Sequence, residues 1–354
     1  MTSIFVFISG ATLLVYSAER LIGSLVGVSR GLKISVFLLA IIFTGIEFDD
    51  IVLGIALNLE GNQDVALGLV LGTAVSFSGI VLALGAIFTP TQFSIPREYI
   101  VVFALAPLLM VVFAVRKEVT TVDAIVLVLL FVAWIAYVAV RESRRETATF
   151  RNLEIIEEAE ELEGEEEEEE AKAPTTTADP IRSQAVDTMS VFHRQGRWSG
   201  WINLGLAVAA LGGIIIGAAT VSTASDQILG RYGIEGTVFG ATVVTLVLSI
   251  EDLFLTSRPI RRGVPEIGIG NVIGSLVFSV TGKLGIVVLA GGSIAIASNV
   301  LKWHLPVLVC LTGLSAYFLW SGQLKRWQGF VLLGLYVAYW IVSFVVYGGA
   351  PVED

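Results

Sequence analysis

Apolar runs long enough to cross a bilayer alternate with short polar loops along most of the chain. Taking about 20 predominantly apolar residues as one helical crossing, the pattern predicts ten transmembrane helices, at residues 3–28, 34–57, 64–89, 99–115, 121–140, 200–223, 236–257, 266–292, 303–321 and 327–347. Five of them precede a long polar stretch and five follow it. Because five is an odd number, the two halves enter the membrane from opposite sides. The sequence therefore predicts an all-α integral membrane protein made of two inverted five-helix repeats.

The polar stretch divides the chain into a first repeat at 1–140, a linker at 141–199 and a second repeat at 200–354. Residues 151–170 carry twelve Glu and one Arg, so this segment alone accounts for the net charge of −10. Such a composition cannot bury enough apolar surface to fold, which predicts a mostly disordered linker. A solvated linker is the simpler interpretation, and a low-affinity reservoir for divalent cations is the alternative.

The short loops predict the orientation, since Lys and Arg accumulate on the cytoplasmic side of membrane proteins. With the linker in the cytoplasm, the inside loops carry eight Lys and Arg residues and the outside loops carry four. Both termini then lie outside, and we expect the protein in the plasma membrane of a prokaryote. The composition agrees with a membrane location, because 55% of the residues are hydrophobic and 36 are glycine.

Two adjacent carboxylates, Glu251 and Asp252, lie inside the apolar run at 236–257. Ionisable side chains inside a membrane are costly and usually functional. The first half carries a weaker copy of the pattern, since an offset of 202 residues aligns Asp49 and Asp50 with these two acids. In both halves a pair of glycines four residues apart begins 18 residues after the second acid, namely Gly68 with Gly72 and Gly270 with Gly274. Such pairs allow two helices to approach closely, which brings nearby hydroxyls toward the acids.

The spacing of these acids selects candidate cation ligands. Glu47 and Asp50 are three residues apart and share one face of a helix, and Asp252 is the counterpart of Asp50. Hard cations such as Ca²⁺, Mg²⁺ and Na⁺ bind oxygen ligands, and three carboxylates suit a divalent ion. The leading candidates are therefore Asp50, Asp252 and Glu47. The further candidates are nearby carboxylates and hydroxyls, namely Asp49, Glu251, Ser249, Thr73, Ser76, Ser275 and Ser279.

Other kinds of chemistry find little support in the sequence. Cys310 is the single cysteine, which excludes an intrachain disulfide and a cysteine-based metal cluster. No nucleophile, base and orienting group form a recognisable catalytic set, so neither an enzyme nor a bound cofactor is expected. The predicted partners are the lipid bilayer and inorganic cations, and nothing indicates nucleic-acid binding.

A structural role for the acids is the alternative to a cation site, and it requires a buried positive charge. Lys283 lies one helical turn after Ser279 and is the obvious candidate. By the predicted topology it lies toward the outer side, so we expect its ammonium to reach the membrane interface instead. On that interpretation Lys283→Ala changes cation affinity less than Asp252→Asn does.

The acid and glycine pattern also resembles a known family. The segment GNVIGS at 270–275 follows a carboxylate by 18 residues and is partly repeated in the first half. It resembles the Ca²⁺/cation antiporter superfamily, whose sodium/calcium exchangers carry two such alpha-repeats. The resemblance implies that the family's ion-binding motif Gly-Thr-Ser-x-Pro-Glu falls on 45–50 and 247–252, with its Glu at Asp50 and Asp252.

The chain departs from that family pattern at both motif prolines. Asp49 and Glu251 replace them, which removes the simplest cause of a helix break next to the ion. The family's Gly-Ser-Asn-x-x-Asn/Asp motif falls on 72–77 and 274–279, where Phe77 and Ser279 replace its final polar residue. The resemblance therefore implies a rearranged ion site.

The leading hypothesis is a secondary antiporter that exchanges Ca²⁺ for Na⁺ or H⁺ by alternating access. An exchanger of Mg²⁺ or another divalent ion, or of a monovalent cation against H⁺, on the same scaffold is the first alternative. A membrane cation sensor that transports nothing and works through its acidic linker is the second.

Overall fold

The computed structural model describes residues 2–29, 47–143, 199–261 and 265–348. The first half comprises helices α1 (Thr2–Ser29), α2 (Phe48–Leu59), α3 (Gln63–Ser76), α4 (Leu82–Phe88), α5 (Arg97–Val115) and α6 (Thr121–Ser143). A π-helical turn, π1 (Phe77–Val81), joins α3 to α4, and two short strands, β1 (Thr91–Gln92) and β2 (Glu118–Val119), flank α5.

The second half comprises helices α7 (Ser199–Tyr232), α8 (Gly236–Phe239), α9 (Thr245–Arg261), α10 (Pro265–Phe278), α11 (Leu284–Gly291), α12 (Leu305–Trp320) and α13 (Arg326–Tyr347). The π-helical turns π2 (Gly240–Val244), π3 (Ser279–Lys283) and π4 (Val300–His304) precede α9, α11 and α12. The short strands here are β3 (Ile294–Ala295) and β4 (Gln323–Leu324).

Seven helical stretches within the described ranges are long and apolar enough to cross a membrane: Gln63–Phe88, Arg97–Val115, Thr121–Arg141, Val208–Tyr232, Gly268–Gly291, Val300–Trp320 and Arg326–Tyr347. Ser3–Ser17 and Gly236–Ile250 are shorter apolar helices within predicted spans. The predicted span at 34–57 is described only from Glu47 onward, and residues 144–198, with the Glu-rich segment, lie outside the described residues. The fold is therefore that of an all-helical membrane protein.

The sixth predicted span is longer than the sequence suggested. The apolar pattern predicts its end near 223, but α7 continues to Tyr232. The Ser3 hydroxyl donates a hydrogen bond of 2.8 Å to Gln227 Oε1, so α1 satisfies a polar group on α7. With 34 residues, α7 is about 51 Å long at 1.5 Å per residue, which exceeds the bilayer's hydrocarbon thickness.

The two halves correspond in their local structure. The turns π1 and π3 occupy positions that differ by 202 residues, the offset that also aligns the acids. Strand β1 pairs with β4, and β2 pairs with β3, so each two-stranded pairing joins one half to the other. Helices α1 and α7 pack antiparallel, because Gly10 faces Thr220 whereas Gly213 faces Ser17.

The stretches that carry the glycine pairs form the interior. The most apolar part of Gln63–Phe88 is 94% buried and that of Gly268–Gly291 is 83% buried, compared with 28% for the spans in α6 and α13. The outer helices instead expose large apolar side chains such as Val345, as lipid-facing surfaces do. The residues that follow the acids in sequence are therefore at the centre of the bundle.

Close packing of α3 against α8, π2 and α9 depends on glycine. A Cβ at Gly68 would lie 2.3 Å from the Thr237 carbonyl oxygen, and one at Gly72 would lie 2.5 Å from Ala241 Cα. Gly68 meets Thr237 and Gly72 meets Ala241, so residue numbers rise in the same direction along both segments and the two segments run parallel. Outside its own helix, no atom of the described residues lies within 4 Å of a Cβ placed at Gly274, so this glycine of the second half makes no such contact with them.

We predict that Gly72→Ala destabilises the protein by about 1–3 kcal/mol, because the new methyl group overlaps main-chain atoms that cannot move freely. The control is Gly334→Ala in α13, where nothing lies within 4 Å of the added Cβ and the lower flexibility of Ala in a helix favours folding. Thermal unfolding in detergent measures both changes. Equal unfolding temperatures for the two variants would contradict the packing described here.

Candidate functional site

The candidate site begins at the N-terminal end of α2. Glu47 has a non-helical backbone conformation (φ −78°, ψ 89°), and the helix begins at Phe48. Asp49 and Asp50 lie in its first turn, where the helix dipole favours negative charge. We expected that loss of the motif proline removes the cause of a helix break here. In the first half this stays a prediction, because residues 30–46 lie outside the described residues, whereas α9 passes through the equivalent acids in the second half without interruption.

Lys283 is the partner of two of these acids. Its ammonium forms ion pairs and hydrogen bonds with Glu47 Oε2 and Asp50 Oδ2. The side-chain exposure is 0% for Lys283, 9% for Glu47 and 4% for Asp50, so the whole group is shielded from solvent. The expectation that Lys283 extends to the membrane interface is therefore wrong. Two buried carboxylates, Glu47 and Asp50, hold the ammonium more favourably than a partial escape to the surface would.

A line of hydroxyl groups leads away from Asp50. The Thr73 hydroxyl donates to Asp50 Oδ2 at 2.9 Å. One helical turn further along α3, the Ser76 hydroxyl donates to the Ser249 hydroxyl at 2.9 Å. Ser249 lies three residues before Asp252, and residues at that spacing share a helix face. The hydroxyls of Thr73 and Ser76 thus lie one turn apart on α3, the first bonded to an acid of α2 and the second to the side of α9 that carries the half-buried Asp252.

The remaining candidate ligands are distributed around this core. Asp49 is buried beside Asp50, with 8% of its surface exposed. The Ser275 hydroxyl is buried and has no hydrogen-bond partner among the described residues, whereas the Ser279 hydroxyl donates to the Ser275 carbonyl at 2.8 Å. Glu251 belongs to α9, and its side chain is outside the description.

The charges of the site do not balance when its acids are ionised. The side chains of Glu47, Asp49 and Asp50 are shielded from solvent, and among the described residues Lys283 is the positive charge in contact with Glu47 and Asp50. Each buried ion loses several kcal/mol of hydration, so the surplus of negative charge favours a further cation. Glu47 Oε1 is buried and has no hydrogen-bond partner among the described residues, and is therefore available as a ligand.

Among the described residues, no three Asp, Glu, His or Cys side chains form a group that could hold a metal ion. The expected meeting of Glu47, Asp50 and Asp252 is thus not seen as a compact triad. A cation bound to Glu47 and Asp50 needs further oxygen atoms, and the hydroxyls of Thr73 and Ser275 offer the chemistry that hard cations prefer.

The sequence identified Lys283 as a possible partner of the acids, but it did not predict the ion pairs with Glu47 and Asp50. The available signal was its charge in the middle of a long apolar run, which by itself indicates function or pairing. Lys283 is the last residue of π3, and π-helical turns occur often at functional sites. Its equivalent in the first half, at the offset of 202, is Val81 at the end of π1.

The fold and the site together define a class of protein. A helical membrane protein with charged groups enclosed between two similar halves has the architecture of a secondary ion transporter. A family model described as sodium/calcium exchanger protein matches residues 2–140 and 202–345. The chain therefore belongs to the sodium/calcium exchanger family, a family of transporters and not of enzymes.

Individual relatives agree with this assignment. The sodium/calcium exchanger MaX1 of Methanosarcina acetivorans is 32% identical over 140 residues, which are 39% of this chain and 40% of the relative's length. The inner membrane protein YrbG of Escherichia coli is 22% identical over 96% of this chain and 97% of its own. A structure of the sodium-calcium exchanger NCX_Mj, soaked with Na⁺ and Sr²⁺, is similar with a TM-score of 0.57 at 20% identity, covering 97% of this chain and 98% of that one.

We predict that Thr73→Val lowers stability by about 1–2 kcal/mol, because the substitution keeps the shape but removes a hydrogen bond to a buried carboxylate. The control is Thr223→Val in α7, whose exposed hydroxyl donates to its own helix at the Ala219 carbonyl. Thermal unfolding of both variants provides the comparison. A loss for Thr73→Val no larger than that of the control would show that the contact with Asp50 contributes little.

Proposed function

We propose that the protein is a secondary active cation antiporter that exchanges Ca²⁺ for Na⁺ or H⁺ by alternating access. The observation that carries the proposal is the buried pair of carboxylates, Glu47 and Asp50, which is enclosed by Thr73 of the first half and Lys283 of the second. Membership of the sodium/calcium exchanger family supports it, and so does the resemblance of the fold to that of NCX_Mj.

In this proposal Glu47 and Asp50 are the primary cation ligands. Thr73, which donates to Asp50, and the buried hydroxyl of Ser275 supply neutral oxygen atoms, and Asp49 adds negative charge next to Asp50. Asp252 serves as the acid of the second half, connected through Ser249 and Ser76. The remaining members of the proposed ligand set are Ser279 and Glu251.

The same carboxylates also allow proton coupling. A carboxylate must be deprotonated to bind a metal ion, so protons and cations compete for Glu47 and Asp50. That competition makes H⁺ a natural counter-ion wherever Na⁺ is absent.

The ion pair of Lys283 favours a second candidate on the same scaffold. An ammonium on Glu47 and Asp50 neutralises one negative charge, which reduces the advantage of a divalent over a monovalent ion. Exchange of a monovalent cation for H⁺ is this second candidate, and Mg²⁺ or another divalent ion in place of Ca²⁺ is the other alternative on the same scaffold. Competition by a panel of cations in one flux assay separates both from calcium exchange.

The proposed topology has ten helices in two inverted repeats, at 1–140 and 200–354, with the linker at 141–199 in the cytoplasm and both termini outside. Antiparallel packing of α1 against α7 supports the inversion, and so do the matched turns π1 and π3. The proposed location is the plasma membrane of a prokaryote.

The central test is Ca²⁺ uptake into liposomes driven by an imposed Na⁺ or pH gradient. We expect uptake by the wild type and at least a tenfold loss for Asp50→Asn, because the amide removes charge from the ligand. The control is Glu98→Gln, which breaks an exposed ion pair with Arg141 that contributes little to stability. Absence of flux with either gradient, for folded protein, would reject the proposal.

Asp50→Asn and a deletion within the linker together test the sensor hypothesis. A sensor that works through its acidic linker loses function when residues 154–170 are deleted and keeps it in Asp50→Asn. An exchanger gives the opposite pattern.

We predict that the Ca²⁺ concentration for half-maximal uptake rises as pH falls, since protonated carboxylates do not bind metal ions. Uptake at several pH values, with Na⁺ gradient and membrane potential fixed, measures this. An affinity independent of pH down to mildly acidic conditions would contradict carboxylate ligands.

A further inference from the structure

The position of Lys283 carries an inference about how many cations the site takes. Two of the three ammonium protons point to Glu47 Oε2 and Asp50 Oδ2. These are oxygen atoms of the two residues proposed as primary cation ligands. An ammonium and a metal ion cannot occupy the same place on the same oxygens, so Lys283 takes space and charge that a mobile cation would otherwise have.

The surroundings of Lys283 hold the ammonium in place. The residue is fully buried, and its nitrogen also lies 6.0 Å from the centre of the Phe278 ring, within reach of a cation–π attraction. Asp50 Oδ2 also accepts the Thr73 hydroxyl, which fixes the carboxylate. The lysine is therefore built into the site and is not a surface residue that happens to reach it.

The two repeats differ at this position in a way that points to specificity. Val81 is the counterpart of Lys283 at the end of π1, and Ser249 is the counterpart of Glu47. The first half thus contributes an additional acid and the second half contributes a base. A packing role alone is satisfied by an apolar residue, as Val81 shows, whereas a positive charge changes the number of cations needed to neutralise the acids.

We infer that Lys283 is a tethered cation that permanently fills one cation position of the site, so that the exchanger carries one monovalent cation fewer than its carboxylates alone would bind. This rests on the proposed cation-exchange function. Glu47 Oε1 has no hydrogen-bond partner among the described residues, which leaves the group able to accept a mobile cation beside the lysine. If an apolar side chain replaces Lys283, the place of the ammonium beside Glu47 and Asp50 becomes open to a mobile cation.

The test compares cation binding to the full chain and to its Lys283→Met variant, in detergent, with Na⁺ replacing choline at constant ionic strength. We expect the variant to bind one additional Na⁺ and to have at least tenfold higher affinity, by calorimetry and radioactive Na⁺ binding. Lys283→Arg, which keeps the charge, retains the wild-type number. Lys302→Met removes an exposed lysine from π4 and also leaves the number unchanged.

The outcomes separate the inference from the proposed function. Flux by the wild type tests the function, whereas the difference in bound Na⁺ between wild type and Lys283→Met tests the tethered cation. Equal Na⁺ number and affinity in the two proteins would overturn the inference even if the wild type transports Ca²⁺.

Folding provides an independent check. If Lys283→Met folds in Na⁺ but not in choline, the mobile cation replaces the ammonium and the inference holds. If it stays unfolded in both salts while Lys283→Met/Asp50→Asn folds, no cation can take the place of the ammonium and the inference fails.

Discussion

The ion pairs between Lys283 and the acids of α2 are the constraint around which the interior of this protein is organised. Glu47 and Asp50 come from the first half of the chain and Lys283 from the second, so neither half can bury its charge alone. Removing one partner of a buried ion pair typically costs about 3–5 kcal/mol because the other charge is left without compensation. The two repeats are therefore coupled by charge as well as by apolar packing.

Glycine packing determines where the polar groups meet. Because Gly68 and Gly72 have no side chains, the main chain of α3 approaches that of α8 and π2. This close approach continues to Ser76 and Ser249, whose hydroxyls are in direct contact. A helix pair separated by larger side chains would hold these hydroxyls apart and remove the hydrogen bond between them. The small residues thus enable the polar contact between the halves.

The sequence predicted the parts of this arrangement that depend on periodicity and composition. The apolar runs predicted the helical architecture, and the acid and glycine pattern predicted the family and, at Asp50, a buried carboxylate. The ion pairs of Lys283 with Glu47 and Asp50 could not be predicted in this way. Helical periodicity shows which side chains share a face of one helix, but it does not show which distant segment packs against that face. The π-helical geometry of π3 adds to this difficulty, since it alters the register in which Lys283 follows Ser279.

The pairing between halves also limits how such a protein can move. In the alternating-access mechanism proposed above, one group of helices shifts relative to the other around the site. Here α2 and π3 share a buried ion pair, so a movement that separates them leaves two carboxylates and an ammonium without partners. The cost of that separation far exceeds thermal energy unless a mobile cation joins the acids as the lysine departs. Movement of the site is therefore least costly when α2, π3 and Lys283 move together, or when the separation is coupled to cation binding.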